Sequence, residues 1–209
     1  MPQEFMPLST RFSDALSGAA DLHAKQRRKG TAIPYVAHLL GVVSIALHHG
    51  ADEDEAIAAV LHDAIEDAPP ELGGDWVRKW IRFRFGDRVL SIVEGCTDAD
   101  VVPKPPWRDR KEAYITRVLK EPASVVLVSA ADKLHNASAI LGDYRELGDV
   151  LWSRFNADAG KAGVIGYYRG LVEAYRATGH HPRLTRELER VVVQIETEAG
   201  CPGVWPLRP

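Results

Sequence analysis

Apolar residues along this chain recur at steps of three and four rather than two, so helices are the predicted element almost throughout. From Phe12 to about Arg28, alanines and leucines keep that period, and the basic run Lys25 to Lys29 with Gly30 predicts a stop. Pro34 opens a second helix carrying Val36, Leu39, Leu40, Val43 and Leu47, ended by Gly50. Asp52 suits the cap of a third, Glu53 to Asp67, which Pro69-Pro70 stops. Trp76 to Phe85 and Val89 to Glu94 read as two shorter helices divided by Gly86.

Residues 97–108, with Pro103, Pro105 and Pro106, make one long irregular segment, a kind that often carries function. Asp109 to Leu119 is helical again, and Pro122 suits the first turn of the helix that follows. Val125 to Val128 alone fits a buried strand equally well, but Ala130, Ala131, Leu134, Ala137 and Ile140 extend a helical stripe from it. Asp149 to Phe155, Gly160 to Ala177 and Leu184 to Glu198 complete the series, with an irregular tail from Gly200 to Pro209. The expected fold is all-α, a single-domain bundle of about 8–10 helices with few or no strands.

At 209 residues with 45% hydrophobic side chains, the chain is long enough to bury a core without disulfides or a structural metal. A net charge of −3 argues against a dedicated nucleic-acid binder, which usually carries a basic domain or stripe. No stretch reaches the length of a membrane span, and residues 1–11 lack a leader pattern. Cys96 and Cys201 form no paired spacing, so a reducing cytoplasm is expected, without nucleic-acid or membrane partners. Cys96 is expected to be a small buried hydrophobe. His23, His135, His48-His49 and His180-His181 are expected at the surface or at caps, and Tyr35, Trp152, Tyr167 and Tyr168 in the core.

The chemistry concentrates in His62-Asp63-Ala64-Ile65-Glu66-Asp67. On a helix, residues four apart share a face, which would set His62 near Glu66 and Asp63 near Asp67. Carboxylates in a last turn oppose the helix dipole, and a divalent cation would reverse that penalty. Taken alone, the pattern fits either a metal site or a solvated acidic helix end. His38 adds an imidazole on an apolar helix, and Asp132 adds a carboxylate directly after an apolar run, where it would be costly to bury without a partner. Asp132 and Asn136 share a face. Two imidazoles and two carboxylates suit a divalent ion with open positions; Mn²⁺ is the expected ion, with Fe²⁺, Mg²⁺ or Zn²⁺ as alternatives.

His38, His62-Asp63 and Asp132 resemble the H…HD…D signature of HD-domain phosphohydrolases. The segments Arg27 to His38, His62 to Asp67, Val93 to Asp98 and Ala131 to Asn136 resemble, more narrowly, the hydrolase half of the RelA/SpoT superfamily and its stand-alone small alarmone hydrolases, the metazoan SpoT homologue among them. The resemblance covers about residues 10–178. It implies a hydrolase domain over 1–178, with 179–209 as a C-terminal helix and tail packed on it or on a partner subunit. It also implies removal of the 3′-pyrophosphate of guanosine tetra- and pentaphosphate or an adenosine analogue, usually with Mn²⁺. The alternatives are an HD-domain phosphohydrolase of another nucleotide, or an antitoxin partner of an alarmone synthetase; a homo-oligomer is a further expectation.

By the same resemblance His38, His62, Asp63 and Asp132 hold the metal, while Glu66 and Asp67 position and activate the attacking water. Arg28, Lys29 and Asn136 contact the nucleotide, and Lys104 approaches its phosphates, within a basic cluster that includes Arg108, Arg110 and Lys111. Two departures stand out. Leu39 replaces a common proline, and a glycine near Gly160 stands where metazoan members carry a substrate-contacting tyrosine, leaving Arg154 and Lys161 to supply that contact.

Overall fold

Six consecutive small or branched apolar residues, Ala56 to Leu61, give a helix no polar face to turn towards water, and each is fully buried in the computed structural model of the chain. The structure describes residues 7–98, 103–155 and 158–204. These fall into two compact units, Met1–Asp100 and Val101–Pro209. Among the described residues there are nine α-helices, one 3-10 helix and no strand beyond an isolated bridge, so the all-α expectation holds. None of these helices is long and apolar enough to cross a membrane.

The first unit holds α1 (Thr10–Leu22), α2 (Val36–His48), α3 (Glu53–Leu61), α4 (Gly74–Phe85) and α5 (Asp87–Cys96). α3 is its centre, packed against α1, α2 and α5, while α4 packs on α5. A capping box starts α3: the Asp52 carboxylate accepts from Glu55 N at 2.9 Å, and the Glu55 carboxylate accepts from Asp52 N at 2.9 Å. Glu53, Asp54 and Glu55 in the first turn also complement the positive end of the helix dipole. Gly86, at φ 94°, makes the corner between α4 and α5 that a side chain would resist.

Two boundaries differ from the sequence-based expectation in ways that build the site. α1 stops at Leu22 rather than near Arg28. The chain then turns through His23 to Gln26 and folds back on itself, with Arg28 N donating to Ile33 O at 2.9 Å and Tyr35 N to Gln26 O at 3.0 Å. The backbone of Gln26 and Arg28 is paired by this fold-back in place of a continued helix. α3 stops at Leu61 rather than Asp67, and residues 62–67 continue as turns. The acidic side chains oppose a longer helix dipole, and Pro69-Pro70 cannot supply the amides a longer helix would need.

The second unit comprises α6 (Trp107–Val118), α7 (Ala123–Leu147), the 3-10 helix Gly148–Arg154, α8 (Gly160–Thr178) and α9 (Pro182–Ala199). α7 runs straight through Val125 to Val128, all buried, so that stretch is helix and not strand. Pro122 sits just outside α7 as its N-cap, and the segment predicted over 149–155 is 3-10 rather than α. α9 buries Leu184, Leu188, Val192, Ile195 and Ala199 along one stripe and packs on α7 and α8, while α6 packs on α8. Trp152, Tyr167, Tyr168 and Cys96 are buried as expected. Residues 99–102 of the predicted irregular segment and 205–209 of the tail lie outside the described residues.

Two stability predictions follow from the first unit. A Cβ added at Gly18 would stand 2.6 Å from Trp80 Cζ2. Alanine gains about 1 kcal/mol of helix propensity over glycine, but overpacking costs about 1–3 kcal/mol, so Gly18→Ala should destabilise by up to about 2 kcal/mol. A higher urea midpoint would contradict this. At Asp52, burial pushes the carboxyl up, but Arg88 and the Glu55 amide outweigh it and hold the group below its ordinary 3.8. Its contribution therefore stands in full above that value and is lost as the pH falls below it. Asp52→Ala should cost about 1 kcal/mol at neutral pH and progressively less in acid; an equal penalty in urea melts at both pH values would contradict the assignment.

Candidate metal centre

The turn that follows α3 faces its first residues into the helix layer beneath. His62 is 2% exposed, and its Nδ1 donates to Ala59 O at 2.9 Å, one turn back. With the proton on Nδ1, the neutral ring presents a lone pair at Nε2. That nitrogen lies 3.0 Å from Asp63 Oδ2. His38, 1% exposed on α2, brings its own Nε2 to 3.6 Å from the same oxygen. The two imidazoles meet edge to face with centroids 5.2 Å apart. Two imidazole nitrogens and a carboxylate oxygen gathered in a poorly solvated place are a donor set that fits a divalent metal.

Glu66 and Asp67 belong to the same turn, with Asp67 N donating to Asp63 O at 2.9 Å. Glu66 accepts from Asp98 N at 3.2 Å. The Asp67 carboxylate accepts from Gln26 Nε2 at 2.7 Å. Burial pushes the Asp67 carboxyl above its ordinary 3.8, and the charges of Asp63 and Glu66 push the same way against the Gln26 hydrogen bond. Arg28 and Lys29 lie at the tip of the loop between Arg27 and Pro34, in the same unit, rather than at a helix end.

In the second unit Asp132 is 5% exposed on α7. Both of its oxygens accept hydrogen bonds, Oδ1 from Asn136 Nδ2 at 2.5 Å and Oδ2 from Lys133 Nζ at 2.5 Å. The shared face predicted for Asp132 and Asn136 is therefore real. Burial pulls the Lys133 ammonium down, but the Asp132 charge overcomes it and holds the group well above its ordinary 10.5. Lys133 also stands 5.2 Å from the Tyr114 ring centroid, and the Tyr114 hydroxyl reaches Ser129 Oγ at 2.6 Å. Lys104 is exposed. Lys161 is held in a surface pair, donating to Asp149 Oδ1 at 2.9 Å and lying 5.8 Å from the Tyr144 ring centroid, and Arg154 pairs with Asp143 at 2.7 Å.

Sequence reasoning missed three participants. Tyr35 is not a core residue: it is half-buried, and its hydroxyl donates to Asp63 Oδ2 at 2.5 Å. His23 is not at the surface: it is 3% exposed and stacks on Tyr35 with centroids 5.0 Å apart. Gln26 bridges to Asp67. The only available signal was the three-residue spacing of His23 and Gln26, which carries no meaning until α1 is known to stop at Leu22.

A family model described as HD domain matches residues 15–151. The guanosine-3′,5′-bis(diphosphate) 3′-pyrophosphohydrolase of Aquifex aeolicus (strain VF5) is 31% identical over 122 residues, 58% of this chain and 16% of that protein. The guanosine-3′,5′-bis(diphosphate) 3′-pyrophosphohydrolase MESH1 of Drosophila melanogaster is 32% identical over 131 residues, covering 61% of this chain and 68% of that one. The chain thus spans about a sixth of the bacterial relative and two thirds of the fly protein. Among solved structures, a metazoan orthologue of SpoT reported to hydrolyse ppGpp superposes with a TM-score of 0.68 at 25% identity, covering 91% of this chain and 98% of that one. The lmo0812 protein of Listeria monocytogenes EGD-e gives 0.65 at 27% identity, covering 77% of this chain and 99% of that one.

The Lys133–Asp132 pair yields its own prediction. Removing one partner of a buried ion pair strands the other, so Lys133→Met should destabilise the metal-free protein by about 3 kcal/mol. Adding Asp132→Asn to that variant should restore most of the loss. Urea unfolding that shows equal losses in the single and double variants would contradict the pairing.

Proposed function

The chain belongs to the HD-domain family, in its RelA/SpoT branch, and from that premise we propose that it is a metal-dependent hydrolase removing the 3′-pyrophosphate of guanosine tetra- and pentaphosphate. The observation that carries this reading is the approach of His38 and His62 Nε2 to one Asp63 oxygen, at 3.6 and 3.0 Å, at the end of α3. His38, His62 and Asp132, all buried, are side chains suited to a metal ion. In this reading His38, His62, Asp63 and Asp132 are the ligands, Mn²⁺ is the ion, and residues 1–178 form the hydrolase, with 179–209 appended to it. Two free cysteines agree with a reducing compartment, the cytoplasm. A second copy of the chain is the protein partner proposed with it, and a cognate alarmone synthetase is the partner in the alternative antitoxin reading.

A divalent ion held by His38, His62, Asp63 and Asp132 would supply Lewis acidity, acidifying water and offsetting phosphate charge. Everything else falls to the chain. Asp67, whose carboxyl burial has already pushed up, accepts the proton of the attacking water, and Glu66 helps orient that water. Arg28 offers a planar guanidinium to the purine, and Lys29 a point charge to the ribose and phosphates. Asn136, Lys104 and Lys161 complete the substrate contacts; Lys161 must first leave Asp149. As the water oxygen bonds to the phosphorus next to the ribose, the bond from that phosphorus to the ribose 3′-oxygen breaks. The proton taken by Asp67 is available to the departing 3′-oxygen, and positive side chains around the diphosphate stabilise the transition-state charge.

The deciding experiment is a nucleotide panel with Mn²⁺. Release of pyrophosphate from guanosine 3′,5′-bisdiphosphate is the expected result. Orthophosphate released from 5′-monophosphates would move the substrate to another nucleotide, and no turnover of any member would leave a binding role. Asp67→Ala and Glu66→Ala should retain metal but lose at least about 100-fold in turnover. Near-normal rates in both would remove these residues from the mechanism.

A further inference from the structure

We propose that the segment from His23 to Tyr35 is a clamp for the reacting turn, with Gln26 a positioning residue for Asp67 and His23 its brace; this rests on the role given to Asp67 above. The hydrogen bonds run in one direction only. A carboxylate accepts and does not donate, so the amide nitrogen of Gln26 must face Asp67, at 2.7 Å. Gln26 Oε1 is thereby turned towards His23 Nδ1, 2.5 Å away, which fixes the imidazole proton on Nδ1. A flipped amide would set its oxygen against the Asp67 carboxylate.

His23 has no reason to be an imidazole on packing grounds alone. It is 3% exposed, and its Nε2 is buried without a hydrogen-bond partner among the described residues. The ring bears that desolvation penalty while its other nitrogen holds Gln26. Its face stacks on Tyr35 at 5.0 Å and an interplanar angle of 23°, and Tyr35 donates its hydroxyl to Asp63 Oδ2. Tyr35 N also donates to Gln26 O at 3.0 Å, closing the loop at its base. One short segment therefore grips two carboxylates four residues apart, Asp63 through Tyr35 and Asp67 through Gln26. A proton acceptor turned out of line by about 1 Å can lose two orders of magnitude in rate.

Gln26→Met, which keeps the volume and removes the donor, tests this beside His23→Leu and His23→Asn. With guanosine 3′,5′-bisdiphosphate and Mn²⁺, kcat of Gln26→Met and His23→Leu should fall at least about tenfold, while KM and the Mn²⁺ dissociation constant stay within about twofold. His23→Asn places an amide nitrogen where Nδ1 stood and should keep most of kcat. A Gln26→Met enzyme with wild-type kcat overturns the clamp; if that variant does not fold, equal kcat in His23→Leu and His23→Asn does so instead. A double-mutant cycle of thermal midpoints, Gln26→Met against Asp67→Ala, reads the contact without turnover. Coupling of roughly 2–4 °C is expected, and additive midpoints overturn the proposal. Coupled midpoints in a protein whose wild type turns over no alarmone would sink the activity and support the clamp.

Discussion

The local structure of the first unit depends on one electrostatic constraint: two buried imidazoles direct nitrogen towards a single carboxylate oxygen at the end of α3. Imidazole nitrogens and a carboxylate gathered in a poorly solvated place favour a positive charge among them, a proton or a cation. The surrounding sequence is arranged to hold them there. The Ala59 carbonyl fixes the His62 tautomer, and the Tyr35 hydroxyl fixes the Asp63 carboxylate. α3 itself ends where the acidic residues begin, because a longer helix would set its negative pole among them.

The same physics governs the second unit at Asp132. A carboxylate placed after seven buried residues, Val125 to Ala131, would be untenable by itself. Lys133 and Asn136 occupy both of its oxygens, and the Tyr114–Ser129–Tyr175 hydroxyls give α7 a second buried polar group whose partners are supplied internally. Replacing such groups with apolar side chains often stabilises a protein, so their presence argues for a chemical rather than a structural purpose.

Much of this was legible in the sequence. The helical period gave the element order, including α7 through the strand-like Val125 to Val128, because the stripe beyond that run kept a helical step. His38, His62, Asp63 and Asp132 stood out as ionisable groups in apolar surroundings. Helix ends were less legible, and for a physical reason: a basic run after α1 and an acidic run after α3 look like ordinary terminal turns until tertiary hydrogen bonds draw them into loops. Tyr35, His23 and Gln26 were lost with those boundaries. Tyr35 reads as core from its spacing, and only the fold-back at Gln26 turns its hydroxyl towards Asp63. Lys133 was hidden in another way, as a charged neighbour of Asp132 that a helix would normally send to solvent.

The most direct measurement of the central claim is anomalous scattering at the manganese edge from crystals of the full chain grown with Mn²⁺. One ion bound by His38, His62, Asp63 and Asp132 is the expected result. Manganese elsewhere on the chain, or none within coordination distance of His38 and His62, would contradict it.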